Sequence, residues 1–126
     1  MNRELRVIIL AAGKGTRMNS DLPKVLHKLH GKALIDYVID ESELLGPKEI
    51  ILVVGFKKER VIKHTEGRIN LKYATQVKQL GTGHAVLQTK ELLKNKKGHI
   101  IILYGDVPNI KAVSYTHLTL PTKLSV

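Results

Sequence analysis

Two continuous apolar runs, Val7 to Ala12 and Ile50 to Val54, interrupt an otherwise mixed chain. Lacking polar alternation, each reads as a strand covered on both faces, and the pattern places strands over Arg6 to Leu10 and Ile50 to Val54. Between them, apolar positions 34, 35, 38, 39 and 45 share one face of a helix expected over Ala33 to Leu45. Gly46-Pro47 stops it, since Pro cannot continue a helix and Gly tolerates a left-handed end. Lys57 to His64 reads as a short helix with Val61 and Ile62 inward, and Leu71 to Ala74 as a weaker third strand. Gly83 to Leu93 reads as one helix, and Ile100 to Tyr104 as a fourth strand leading into Gly105-Asp106-Val107-Pro108. Strands alternating with helices imply an α/β fold with a mainly parallel sheet.

From Val113 to Val126 this logic ends: there is no helical period, and Lys123 is the one unambiguous charge. The segment reads either as an edge strand closed by Pro121 or as a non-native tail. The expected division is therefore Met1 to Ala112 as part of a nucleotide-binding domain, with Val113 to Val126 outside it.

Length and composition narrow the classes. At 126 residues, 43% hydrophobic and 25% charged, the chain suits one ordinary globular domain. Neither apolar run approaches the roughly 20 residues of a membrane-spanning helix. Arg3 and Arg6 ahead of an apolar stretch resemble a signal peptide faintly, but the stretch is short and meets Gly13-Lys14-Gly15. A cytoplasmic protein without membrane insertion is expected. With no cysteine, disulfides, thiolate metal sites and cysteine nucleophiles are excluded.

The formal net charge of +10 favours anionic partners. Much of the excess sits in Lys57, Lys58, Arg60 and Lys63, and in Lys90, Lys94, Lys96 and Lys97, which read more simply as solvated helix faces and ends. Aromatics are 4% with no Trp, so base-stacking platforms are nearly absent and nucleic acid is not the expected partner.

The strongest chemical signal is Leu10-Ala11-Ala12-Gly13-Lys14-Gly15-Thr16-Arg17-Met18, leaving a buried strand where open α/β sheets place ligands. Gly13 and Gly15 let backbone N–H groups approach phosphate oxygens, while Lys14 and Arg17 add positive charge. Met18 stands where a dinucleotide fingerprint needs its third Gly, and the spacing is not that of a P-loop. Phosphate binding outweighs the plainer reading, a flexible turn with incidental cations. Pro23 directs Lys24 toward the same anion, although a lone Lys after Pro is commonly a surface residue.

Gln79-Leu80-Gly81-Thr82-Gly83-His84-Ala85 is a second glycine turn, opening a helix whose start attracts anions or carbonyl oxygens. Gln76 before it can both donate and accept, as reading a nucleobase edge requires. A plain N-cap through Thr82 weighs about equally on this segment alone, and His84 reads as structural. Asp106 ends the last strand, where a carboxylate can hold Mg²⁺ beside substrate phosphates; the plainer alternative is a turn Asp. In a parallel sheet these segments fall along one rim, which supports a nucleotide site with a metal.

These residues together resemble the sugar nucleotidyltransferases. The glycine loop, Pro23-Lys24-Val25-Leu26 and the strand-end Asp106 are shared across that superfamily. Gln79 to Ala85 with Tyr104 to Pro108 resembles more narrowly the uridyltransferase domain of the bacterial bifunctional enzymes that make UDP-N-acetylglucosamine. The resemblance implies a Rossmann-like sheet and uridylyl transfer from UTP to N-acetylglucosamine 1-phosphate, feeding peptidoglycan and cell-wall synthesis. It implies that Leu10, Ala11, Ala12 and Gly13 contact the nucleotide, and that Arg17 and Lys24 act catalytically on phosphate charge. Gln76, Gly81 and Thr82 would select uracil, Tyr104 and Gly105 would line the nucleotide sugar region, and Asp106 would bind substrate and Mg²⁺.

The family pattern stops after Ala112, before its acceptor-sugar contacts, second metal ligand and acetyltransferase domain, the part through which family members are expected to form homo-oligomers. A truncated domain with little turnover alone is therefore expected. Another sugar- or polyol-phosphate nucleotidyltransferase, or a non-catalytic nucleotide-binding module, are the alternatives.

Overall fold

The computed structural model describes residues 4–13, 22–78 and 80–108. In chain order the elements are β1 (Leu5–Ala11), a 3-10 turn (Lys24–Leu26), β2 (Lys28–Leu29), β3 (Lys32–Ala33), α1 (Leu34–Glu43), β4 (Glu49–Val54), α2 (Lys58–Thr65), β5 (Leu71–Thr75), α3 (Thr82–Leu87), α4 (Lys90–Leu93) and β6 (His99–Tyr104). The main sheet runs β5-β4-β1-β6, with every neighbouring pair parallel. Val7 aligns with Ile50 on one side and with Ile101 on the other, so β1 is hydrogen-bonded along both edges.

The continuous apolar runs follow from that position. Successive side chains point to opposite faces, and helices cover both. Val7, Ile9, Leu52 and Val54 pack with Ile35, Val38 and Ile39 of α1 and Val61 of α2. Ile8, Ile51 and Val53 pack on the other face with Ala85 and Val86 of α3 and Leu93 of α4. Each fully buried aliphatic side chain contributes about 1.5–3 kcal/mol. Among the described residues no helix is long and apolar enough to cross a membrane.

Two features depart from the periodicity. The single helix expected over Gly83 to Leu93 is broken into α3 and α4. Thr89 is the cause: its Oγ1 donates to the Val86 carbonyl at 2.7 Å, and its N–H reaches the same oxygen at 3.0 Å. A side chain competing for backbone in this way tightens the turn before the helical path resumes. The second departure is the β2–β3 hairpin, which carries too little apolar pattern to be foreseen. His30 and Gly31 both have positive φ, 53° and 79°, as a two-residue type I′ turn requires. The hairpin is tied to α1 by Tyr37, whose hydroxyl donates to the Leu29 carbonyl at 2.7 Å, and by a Lys32–Asp40 ion pair.

At the amino ends of the strands sits a charge network. Arg6 is only 3% exposed; its guanidinium donates to Glu49 at 2.7 Å, to Glu4 at 3.1 Å and to the Lys97 carbonyl at 3.3 Å. Lys72 of β5 reaches the other Glu49 oxygen at 2.8 Å, so the cluster joins β1, β4 and β5 and touches the segment that leads into β6. Burial pushes the Glu49 carboxyl upward, but Lys72 and Arg6 outweigh it and hold its pKa below the ordinary 4.5.

A prediction follows for Glu49→Gln. At pH 7 it leaves Arg6 short of its buried partner and should cost about 3 kcal/mol, near the lower end for breaking a buried pair. Because the folded pKa is the lower one, the ionised pair stabilises fully above pH 4.5 and is lost as pH falls through the folded value. Urea titrations of both proteins should therefore differ at pH 7 and converge as the pH drops below that range.

Candidate functional site

In chain order the parallel strands lie third, second, first, fourth across the sheet, so the order reverses between β1 and β6. Open α/β sheets bind ligands at such a switch point, beyond the carboxyl ends of the strands. The expected site segments follow those ends: Ala12 and Gly13 after β1, Gln76 after β5, and Gly105-Asp106 after β6. Lys14, Gly15, Thr16, Arg17 and Met18 lie outside the described residues, as do Gln79, Ala112 and Val113 to Val126.

Leu10 and Gly105 hold the switch point together. The Gly105 N–H donates to the Leu10 carbonyl at 2.9 Å, extending the pairing of β1 and β6 by one step. A Cβ on Gly105 would lie 3.0 Å from both Ile35 Cδ1 and Val25 Cγ1, and 3.1 Å from the Leu10 oxygen. Only Gly fits there without movement of neighbours. Ala11 and Ala12 are buried and Gly13 is exposed, with open space where its Cβ would be. The Ala12 carbonyl accepts from the Phe56 N–H at 3.1 Å, which fixes the departure of the loop.

Lys24 opens the 3-10 turn after Pro23 and brings Nζ within 3.8 Å of an Asp106 oxygen, both side chains partly exposed. A cation and a carboxylate thus sit together beside the glycine turn. Across the rim, the Thr82 and Tyr104 hydroxyls approach to 3.2 Å. This is possible because α3, though it follows the edge strand β5, packs back against β1.

Gln76 lies deeper than its expected role suggests. It is 3% exposed, and its Nε2 donates to His84 Nδ1 at 3.0 Å and to the Gly81 carbonyl at 3.3 Å. Its backbone N–H donates to the Val54 carbonyl at 2.8 Å. Gly81 caps α3 without a side-chain bond, so the N-cap role weighed for Thr82 is absent and its hydroxyl is used across the rim. The partner that sequence reasoning did not assign to the site is Gln88, whose Nε2 donates to the His84 carbonyl at 2.8 Å. The four-residue spacing of His84 and Gln88 on a helix could have suggested it.

The Lys24–Asp106 pair and the buried Gln76 amide thus lie at the carboxyl rim of a doubly wound parallel α/β sheet, the edge where such folds bind ligands. Over residues 7–120 the chain matches the MobA-like NTP transferase domain, and it belongs to that family. Among curated proteins it is 53% identical over 106 residues to the bifunctional protein GlmU of Francisella tularensis subsp. novicida, covering 84% of this chain and 23% of that one. It is 42% identical over 112 residues to the bifunctional protein GlmU of Gloeothece citriformis, covering 89% and 25%. The chain thus spans about a quarter of the length of these relatives. Among solved structures, HddC from Yersinia pseudotuberculosis complexed with GMP-PN is similar with a TM-score of 0.67 and 27% identity, over 80% of this chain and 47% of that one.

The two site glycines should respond differently to alanine. Gly105→Ala overpacks the switch point and should lower stability by about 1–3 kcal/mol in urea titrations. Gly13→Ala meets open space and should change stability by less than about 0.5 kcal/mol.

Proposed function

We propose that this chain handles the nucleotide in uridylyl transfer from UTP to N-acetylglucosamine 1-phosphate, giving UDP-N-acetylglucosamine and pyrophosphate. The observation that carries the reading is the Lys24–Asp106 pair just past the carboxyl end of β6, the strand paired with the β1 that leads to Gly13. The choice of sugar and base is supported by 42% to 53% identity to proteins called GlmU. On the same reading the product is made in the cytoplasm and serves cell-wall synthesis.

The chemistry asks for alignment rather than covalent help. An oxygen of the sugar phosphate bonds to the α-phosphorus of UTP while the bond from that phosphorus to the pyrophosphate oxygen breaks. The attacking oxygen is already ionised, so no general base is needed. Neutralising charge and aligning the groups in line are the main demands. Backbone from Leu10 to Gly13 approaches the nucleotide, and Lys24 with Arg17 offsets phosphate charge. Gln76, Gly81 and Thr82 read the base, while Tyr104 and Gly105 border the sugar.

The residues present fit a magnesium ion. Asp106 is a partly exposed carboxylate just past the carboxyl end of β6, with open coordination left for a cation. Mg²⁺ suits such a place, because it commonly takes one or two carboxylates together with substrate phosphates. Asp106 would hold the ion, which supplies charge neutralisation between the phosphates when bound.

Calorimetric titration of the chain with UTP, at a series of Mg²⁺ concentrations, tests this assignment. Wild-type affinity should rise with Mg²⁺, and Asp106→Asn should lose most of that dependence. Lys24→Ala should weaken UTP at every Mg²⁺ concentration. An Asp106→Asn protein that responds to Mg²⁺ as wild type does would make Asp106 a turn residue. Equal affinity for UTP, CTP, ATP and GTP would overturn the uridylyl reading itself.

A further inference from the structure

Gln76 carries two amide hydrogens, and both are committed: one to the Gly81 carbonyl at 3.3 Å, the other to His84 Nδ1 at 3.0 Å. A carbonyl oxygen can only accept, so the amide nitrogen, not its oxygen, must face Gly81. His84 Nδ1 faces the same nitrogen and must therefore accept, which places the imidazole proton on Nε2. Gln88 Nε2 also only donates: it reaches the His84 carbonyl at 2.8 Å and lies 3.4 Å from the ring Nε2, so the two amides compete for one ring acceptor and the shorter contact, from Gln76, takes it. Turning the Gln76 amide over would set its oxygen against the Gly81 oxygen in either ring tautomer, and against the Nδ1 lone pair in the tautomer above. In a setting only 3% exposed, such a mismatch finds little water to relieve it.

We propose that His84 is a positioning residue that fixes the Gln76 amide so that only its Oε1 can meet a nucleobase, selecting uracil over cytosine. This deepens the uridylyl reading above and rests on it. Among the described residues no donor is paired with Oε1, leaving it as the acceptor a ligand would find. Uracil presents an N–H at ring position 3, whereas cytosine presents a lone pair there. An oxygen held in place attracts the first and repels the second. Without the His84 acceptor, the longer bond to Gly81 is the one restraint left on the amide, and discrimination falls.

The test is equilibrium binding of UTP and of CTP, each with saturating Mg²⁺, to wild type, His84→Leu and His84→Asn, with a melting curve for each protein. Wild type should prefer UTP. His84→Leu should lower the CTP-to-UTP ratio of Kd values by about three- to tenfold, as expected for one lost hydrogen bond. His84→Asn, which can place an amide oxygen near the Nδ1 position, should restore most of the ratio. If His84→Leu does not melt cooperatively, His84→Gln, whose amide reaches toward the Nε2 position instead, serves the same comparison. An unchanged ratio in a folded His84→Leu or His84→Gln protein overturns the inference, as does an equal loss for both nucleotides. Wild type binding UTP and CTP alike overturns the uridylyl reading and the inference with it.

Discussion

Everything at the carboxyl rim depends on β1 being paired in parallel on both edges. With β4 and β6 aligned to it in the same direction, all the loops leaving carboxyl ends emerge on one side. Two-sided pairing also consumes the backbone hydrogen bonds of β1, which lets an uninterrupted aliphatic strand be buried on both faces. The sheet order then reverses beside β1, and the Leu10–Gly105 bond holds the two departing loops together. At the opposite end Arg6 restrains the same strand through Glu49, Glu4 and the Lys97 carbonyl. The strand is thus fixed at both ends, by a charge cluster below and by close packing around a glycine above.

How far the sequence could be read follows from the range of each interaction. Buried parallel strands announce themselves, because a strand such as Ile50 to Val54 must be apolar throughout when both faces are covered. The alternation of strand and helix made the parallel α/β architecture legible, and the turn chemistry around Gly13 and Gly105-Asp106 put the expected site residues at strand ends. What stayed hidden was set by side chains reaching across the fold or along one turn. Thr89 splits a helix with its own hydroxyl, and His30-Gly31 makes a hairpin too short for any periodicity. The burial of Gln76 could not be read from its polarity, since a polar residue is expected outside unless partners are known. Its partners, Gly81 and His84, come from the next loop and helix.

Charge is distributed with a similar logic. Several acidic side chains are spent on structural pairs away from the rim: Asp36 with His64 and Arg68, Asp40 with Lys32 and Arg68, and Glu49 with Arg6 and Lys72. In a chain of formal net charge +10, these pairs commit much of the limited acidic charge to the fold. At the rim, the one carboxylate of the proposed site, Asp106, is itself held beside the Lys24 ammonium.

The proposed site divides recognition between two physical environments. Phosphate charge is met at the surface, where Lys24 and Asp106 stay partly hydrated and unpaired states cost little. Base identity, on the same reading, is met by an amide that is nearly sealed and hydrogen-bonded on both of its hydrogens. The difference suits the tasks. Triphosphates are alike among nucleotides, so an exposed pair that tolerates small displacements is sufficient for them. Bases differ by a single donor or acceptor, and that difference becomes large only where a mispaired group cannot turn to water. Burying Gln76 and fixing its orientation through α3 therefore gives a small polar contact the weight needed to discriminate.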